Sequence, residues 1–392
     1  YKVAVVLIHL TAVGNKVSFG NKNQSSSSAS FVLGTRAVWV NLGKCRVPSS
    51  VPLGASDSVY RIRGGLQNAR CSRPPCATIK VMIQPERIQN LNSNLEQPGE
   101  YVLYWMQASV RSRFNHALEH AIAHANRLGQ PLYVIFGLTP NYPEANLRSY
   151  TFLLEGLQAV QKGLERRQIP LVVRLGHPPD LVLELSQKAS RVVTDRGYVR
   201  VSRLWREQLA AKLECPLEQV ESDAVVPVET ASNKAEVGAR TLRPRIHRLW
   251  KNYLVALKER TLENPGKPLE TLDLSSIPAL LEQLGPDPSV TPSPLYKGGE
   301  LEAHTYLEKF MQEGLEKYVE GRGGPLSSVS NLSPYLHYGH ISPLEVALAL
   351  EDRIGPAADA FLEELIVRRE LSFNFCFFNP HYDSFEGLPN WA

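Results

Sequence analysis

The chain has 392 residues, with 43 Lys/Arg against 39 Asp/Glu and a formal net charge of +4. The positive excess lies in residues 1–81, where Asp57 is the single acid; residues 82–392 are net acidic, so bulk attraction to a polyanion is excluded there and nucleic-acid contact needs a local basic patch. No apolar run approaches the roughly 20 residues that span a bilayer, and the five cysteines (Cys45, Cys71, Cys76, Cys215, Cys376) form neither a disulfide framework nor a zinc spacing, which points to a reducing, cytoplasmic compartment with no metal site assigned.

Residues 1–81 do not read as a domain. Serines run from Ser25 to Ser28, Gly and Pro recur, and no helical or strand period persists. We read this stretch as a low-complexity or non-native extension, with Met82 the expected start. Its Arg- and Ser-rich, acid-poor composition also fits an organelle transit peptide.

Residues 100–228 alternate strand and helix. Tyr101 to Trp105 is a short apolar strand, and Ser112 to Leu128 a helix with Phe114, Leu118, Ala121, Ile122 and Ala125 on one face. Pro131 to Leu138 is a buried strand, followed by a helix from Ser149 to Arg167. The strand from Pro170 to Leu175 precedes a helix from Pro179 to Lys188. The strand from Arg191 to Thr194 precedes a helix from Val199 to Leu213, and Leu217 to Val220 closes the series. Near-continuous apolar strands with intervening helices predict an α/β fold: a doubly wound, Rossmann-like parallel sheet covered on both faces. No Gly-x-Gly-x-x-Gly follows the first strand, so the usual dinucleotide fingerprint is absent.

Residues 229–299 read as a connecting segment and linker. Thr241 to Arg260 is a helix rich in base (Arg243, Arg245, Arg248, Lys251), which on its own reads as a solvated face. Pro- and Gly-rich sequence follows, with two short helical segments near Ile277 to Leu284. Residues 300–392 are expected to be all-α, with helices from Glu300 to Tyr318, from Leu344 to Asp352 and from Ala357 to Phe378. Two helix starts are packed together: Ser333 as cap with Pro334 first, and Ser342 as cap with Pro343 first and Glu345 closing a capping box. Free N–H groups ringed by Ser327, Ser328, Ser330 and Asn331 suit a phosphate or diphosphate, although two well-capped helices with nothing bound fit the same pattern. Phe361, Glu364 and Arg368 share one helix face at i, i+3 and i+7; taken alone, the acid and base form a surface pair.

Ser330-Asn-Leu-Ser-Pro-Tyr-Leu-His-Tyr-Gly339 together with Phe361-Leu-Glu-Glu-Leu-Ile-Val-Arg-Arg-Glu-Leu-Ser-Phe-Asn-Phe-Cys376 resembles the flavin-binding helical domain of the photolyase/cryptochrome superfamily, and within it the class II cyclobutane pyrimidine dimer photolyases. The resemblance runs from near Tyr101 to the end of the chain. It includes Tyr104-Trp-Met-Gln-Ala-Ser109, Val193-Thr-Asp-Arg-Gly-Tyr198, Gln219-Val-Glu-Ser-Asp223 and Ala239-Arg-Thr-Leu-Arg-Pro-Arg-Ile-His247.

The resemblance implies FAD as cofactor, DNA containing cyclobutane pyrimidine dimers as partner, and a monomer. It places Tyr318 at the flavin diphosphate and Ser330, Asn331, Leu332 and Ser333 in the turn that clasps it. Phe361 and Arg368 approach the flavin, Glu364 contacts the dimer, and Arg322 meets the damaged strand. The implied reaction is light-driven repair. The dimer is flipped from the duplex, light-excited reduced FAD donates one electron, the ring opens, and the electron returns. Glu364 would stabilise the charge that develops. A cryptochrome-like photosensor and an inactive fragment are the alternatives. An antenna chromophore is also implied for the α/β domain; Asp195, Arg196 and Gly197 lie at a strand end there, but no antenna site is assigned. Two departures stand out. Phe373 replaces a more usual aspartate, and the family continues for several helices beyond Trp391-Ala392, so the helical domain is expected to be incomplete.

Overall fold

The computed structural model describes residues 83–140, 142–321 and 328–388. Six strands form one sheet in the order β1-β6-β5-β2-β3-β4. They are β1 (Ile88–Asn90), β2 (Tyr101–Trp105), β3 (Leu132–Leu138), β4 (Leu171–Leu175), β5 (Ala189–Asp195) and β6 (Leu217–Val220). The five strands expected from the sequence are all present and mutually parallel. The exception is β1, which pairs antiparallel to the β6 edge, Ile88 opposite Val220.

Alternation along β2 builds the two layers. Val102 and Tyr104 face one apolar cluster with α1 (His116–Leu128) and α2 (Leu147–Arg166), through Leu118, Ile122, Leu154, Leu157 and Val160. Tyr101, Leu103 and Trp105 face the other, with α3 (Pro178–Ser186) and α4 (Arg200–Ala210), through Val182, Leu185 and Leu209. Helices on both faces bury a parallel sheet whose strands are apolar throughout.

Several boundaries differ from expectation. Helix α1 starts at His116 rather than Ser112. Asn115 is its cap, its side chain accepting the Leu118 N–H at 3.0 Å, and Phe114 just before it has φ 45°. The basic helix α5 (Ala239–Tyr253) stops before Arg260. The chain then runs along the sheet without regular structure, tied to β4 where Leu272 N–H donates to Val173 O at 2.9 Å and where Leu262 and Leu274 enter the core. Helix α6 occupies Ile277–Leu284.

From Glu300 onward the regular elements are all helical. Helix α7 (Glu300–Lys309) does not run unbroken to Tyr318: it passes into a π-helical segment, Phe310–Gly314, and a short helix restarts at Tyr318. Ser333 is the first residue of a five-residue helix and not its cap; Leu332 holds that place, and no side chain caps it. Ser342 does precede α8 (Pro343–Ala349) in extended geometry. Glu345 closes no capping box, because His304 Nε2 engages its carboxylate at 3.0 Å. Helix α9 (Pro356–Leu362), a π-helical segment (Glu363–Arg368) and α10 (Arg369–Phe378) form one run. A separate cluster of Phe310, Tyr318, Leu332, Tyr335, Phe361, Leu365 and Ile366 is the core of this region.

Candidate functional site

The π-helical turn organises the candidate site. Arg369 N–H donates back five residues to Glu364 O, so residue i+5 comes over residue i. Arg368 therefore meets Glu363, its Nε lying 3.7 Å from Oε1. The Glu363 carboxylate is held mainly by Arg243 of α5, whose Nε lies 3.0 Å from both oxygens and whose Nη2 lies 2.6 Å from Oε1. This fork is the strong geometry for a guanidinium on a carboxylate. Arg368 Nε is buried and has no hydrogen-bond partner among the described residues. Glu364 is half-buried on the same turn.

Tyr318 and Phe361 are brought together. Their rings meet edge-on at 5.4 Å, and Phe310 completes the group at 5.8 Å from Tyr318 and 4.7 Å from Phe361. Both are nearly buried. In the predicted clasp, Leu332 is fully buried in the same cluster. Asn331 adopts φ 56°, and its Oδ1 accepts the Tyr296 hydroxyl at 2.9 Å. Ser330 Oγ accepts the Leu332 N–H at 3.3 Å, while Ser333 is exposed. Thus Tyr318, Leu332 and Phe361 share one core. Arg322 lies outside the described residues.

The motifs quoted from the α/β half converge on a buried polar seam against the helices. Arg111 Nη1 pairs with Asp223 Oδ1 at 2.7 Å, and Ser109 Oγ donates to Asp223 Oδ2 at 2.9 Å. Arg196 pairs with Glu221 at 3.1 Å, and the Tyr198 hydroxyl also donates to Glu221. Arg87 donates to the carbonyls of Glu221, Ala224 and Val225. From the helical side Arg369 reaches Asp223 O, and Glu370 Oε1 accepts from Val225 N at 2.6 Å and Val226 N at 3.1 Å. Burial pushes the Glu370 carboxyl up to about 8, against these hydrogen bonds. Sequence reasoning did not single out Glu370; an acid directly after two arginines was its only signal. Phe373 lies between Tyr198, stacked at 4.4 Å, and the Arg369 guanidinium at 4.5 Å from its centroid.

At the topological switch between β2 and β5, Asp195 fills the crevice itself, accepting from Gln107 N (2.9 Å), Ala108 N (2.7 Å) and the Tyr104 hydroxyl (2.8 Å). Beside it a cavity of about 460 Å³ is lined by Arg196, Tyr198, Arg203, Arg206, Gln219 and Phe377. Arg206 donates to Gly197 O at 2.6 Å and to Gln107 Oε1 at 3.0 Å, and burial lowers its guanidinium to about 10.

Residues 102–265 match the model of the DNA photolyase family. Over 319 residues the sequence is 46% identical to a deoxyribodipyrimidine photo-lyase of Methanothermobacter thermautotrophicus, covering 79% of this chain and 69% of that protein. Among solved structures, a Synechocystis cryptochrome superposes with a TM-score of 0.58 at 16% identity, over 71% of this chain and 62% of that one. An archaeal photolyase from Sulfolobus tokodaii, solved with two FAD molecules, superposes with a TM-score of 0.53 at 17% identity, over 71% of this chain and 60% of that one. The chain therefore spans about three fifths of these structures. The doubly wound sheet followed by helices is the fold of the photolyase/cryptochrome superfamily. Within it, the chain belongs to the DNA photolyase family. No helix among the described residues is long and apolar enough to cross a membrane.

Proposed function

We propose that this chain carries the chemistry of a deoxyribodipyrimidine photo-lyase, the light-dependent splitting of cyclobutane pyrimidine dimers in DNA. The observation that carries the reading is 46% identity over 319 residues to a relative of that name. The finer class II reading rests on the motifs of the helical region.

The residues present fit FAD. Arg368 Nε is a buried donor with no acceptor, and a buried donor of this kind costs about 1–3 kcal/mol until one arrives. Arg368 would meet the flavin. Tyr318 and the Ser330–Ser333 turn, with its exposed Ser333 hydroxyl, would hold the diphosphate, while Phe361 and Leu332 support it from the core. FAD held there in its reduced form would supply light-driven one-electron chemistry for opening the cyclobutane ring. Glu364 hydrogen-bonds the flipped dimer and stabilises negative charge on it, and Arg322 positions the strand through phosphate. The cavity lined by Arg196, Arg203 and Arg206 has room for an antenna chromophore.

The test is a visible absorption spectrum of the chain after incubation with FAD and desalting, followed by a repair assay on a dimer-containing oligonucleotide with and without light. Retained flavin and light-only repair support the reading. Retained flavin without repair favours a photosensor. A colourless protein shows that these residues do not hold the cofactor by themselves.

A further inference from the structure

Away from the seam and the flavin reading, α1 and β6 bring three metal-ligand side chains to one point. His120 and His124 stand four residues apart on α1, so their imidazoles leave the same face. Glu218 comes from β6. His120 Nε2 is 2.8 Å and His124 Nε2 3.1 Å from the same oxygen, Glu218 Oε2, and the two Nε2 atoms are 3.1 Å apart. All three residues are largely shielded from solvent, with side chains 12–16% exposed.

Protons cannot satisfy this triangle. The carboxylate brings none, and each Nε2 brings at most one when the imidazole is neutral or charged. At most two of the three contacts are therefore hydrogen bonds. The third sets two lone pairs, or two N–H groups, against each other at about 3 Å. A cation held by three lone pairs removes the conflict. The spacing also suits it, because metal–ligand bonds of about 2.0–2.1 Å at tetrahedral angles place donors roughly 3.3 Å apart.

The surroundings orient the ligands. Arg191 Nη1 takes the other Glu218 oxygen at 2.5 Å, leaving Oε2 as the single ligand oxygen. Arg191 also pairs with Glu96 at 3.0 Å. Arg127 pairs with Glu96 and lies 3.2 Å from His124 Nδ1. When His124 ligates through Nε2, Nδ1 carries the proton, and the half-exposed Arg127 turns wholly to Glu96. We propose that His120, His124 and Glu218 form a site for one divalent metal ion of the zinc class, with solvent as the fourth ligand, clipping α1 to β6. Two imidazoles and one carboxylate oxygen select zinc, cobalt or nickel over magnesium or calcium, which require oxygen ligands.

The full chain, stripped with chelator, is titrated with Co²⁺ and watched in the visible. One equivalent taken up with the bands of a four-coordinate nitrogen/oxygen site, displaced by Zn²⁺, is the expected result. In the His120→Ala/His124→Ala double variant the affinity falls at least about 100-fold, while the far-ultraviolet circular dichroism stays that of the parent. Failure of the parent chain to bind one equivalent overturns the site. So does parent-like uptake in the double variant, or a thiolate charge-transfer band marking cysteine ligation. If the double variant does not fold, X-ray absorption on the zinc-loaded parent decides: imidazole and oxygen scattering supports the site, and a sulfur shell overturns it.

Discussion

Arg368 lies five residues after Glu363 on the π-helical turn, its Nε 3.7 Å from Glu363 Oε1. That separation is an ion pair but too long for a hydrogen bond. The cause is Arg243, whose fork already occupies the carboxylate. The Arg368 Nε is thereby left buried and short of one acceptor, while the rest of the side chain stays partly exposed. If that acceptor is the flavin, Arg368→Ala lowers FAD affinity by about 10- to 100-fold, the value of one charge-assisted hydrogen bond. A fluorescence titration with FAD measures it. Unchanged affinity would remove Arg368 from the cofactor site.

Arg243→Ala should act on the same site from outside it. Freed from the fork, Glu363 can close on Arg368 and compete with the ligand. The pair is partly exposed, so the stability cost is about 1 kcal/mol or less. FAD affinity should nonetheless fall, while Arg243→Lys recovers only part of it because an ammonium cannot reproduce the fork. A variant that loses stability but binds FAD normally would show that Arg243 only holds α5 to the π-helical turn.

Phe361 is packed between Phe310 and Tyr318 and is 5% exposed. Phe361→Ala should cost about 3–5 kcal/mol, read as a lower midpoint in urea. The effect is due without FAD present, because the three rings form the core before any ligand is bound. A midpoint within experimental error of the parent would contradict this packing.

The parallel sheet was legible because strands covered on both faces must be apolar throughout, and each lay between helices of clear period. β1 was not legible: Ile88-Gln-Asn90 is short and polar, and it becomes a strand only because the β6 edge offers it partners. The π-helical segments left no mark either. An α-helical wheel places Phe361, Glu364 and Arg368 on one face, and the extra residue per turn shifts Arg368 onto Glu363. Of the caps read from the sequence, Ser333 lies one residue inside its helix with Leu332 in the cap place, and Glu345 is taken by His304 from a helix distant in sequence. At the site, the aromatic and apolar members (Tyr318, Leu332, Phe361) share one core. The clamp from Arg243 was hidden in what reads as a solvated basic helix. The His120–His124 spacing was visible, but only the fold supplies Glu218.

Gly339 follows the short Ser333–His337 helix with φ 72°, and Arg111 Nη1 donates to its carbonyl at 3.1 Å. A Cβ there would overlap Ala108 O and press on Val110 N. Gly339→Ala combines an unfavourable left-handed backbone with a clash against main chain that cannot move aside. It should cost about 2–4 kcal/mol, measured by urea denaturation. A cost within about 0.5 kcal/mol would show that the loop at Ala108 yields.

Glu370 makes the stability depend on pH. Its carboxyl is buried, Oε1 accepts two backbone N–H groups, and Oε2 has no partner among the described residues, which makes it the oxygen that carries the proton. Burial raises this group from an ordinary 4.5 to about 8, partly offset by the N–H bonds and Arg369. Between those two values the folded chain binds a proton that the unfolded chain has lost. Its contribution is therefore complete below about pH 4.5 and declines as pH rises toward 8, by up to about 1.4 kcal/mol per pH unit. Glu370→Gln keeps an acceptor for Val225 and Val226 and removes the titration. The variant should match the parent near pH 4.5 and gain on it steadily up to pH 8, as thermal midpoints taken across that range would show. Parallel profiles for the two proteins would mean that Glu370 is ionised in the folded chain.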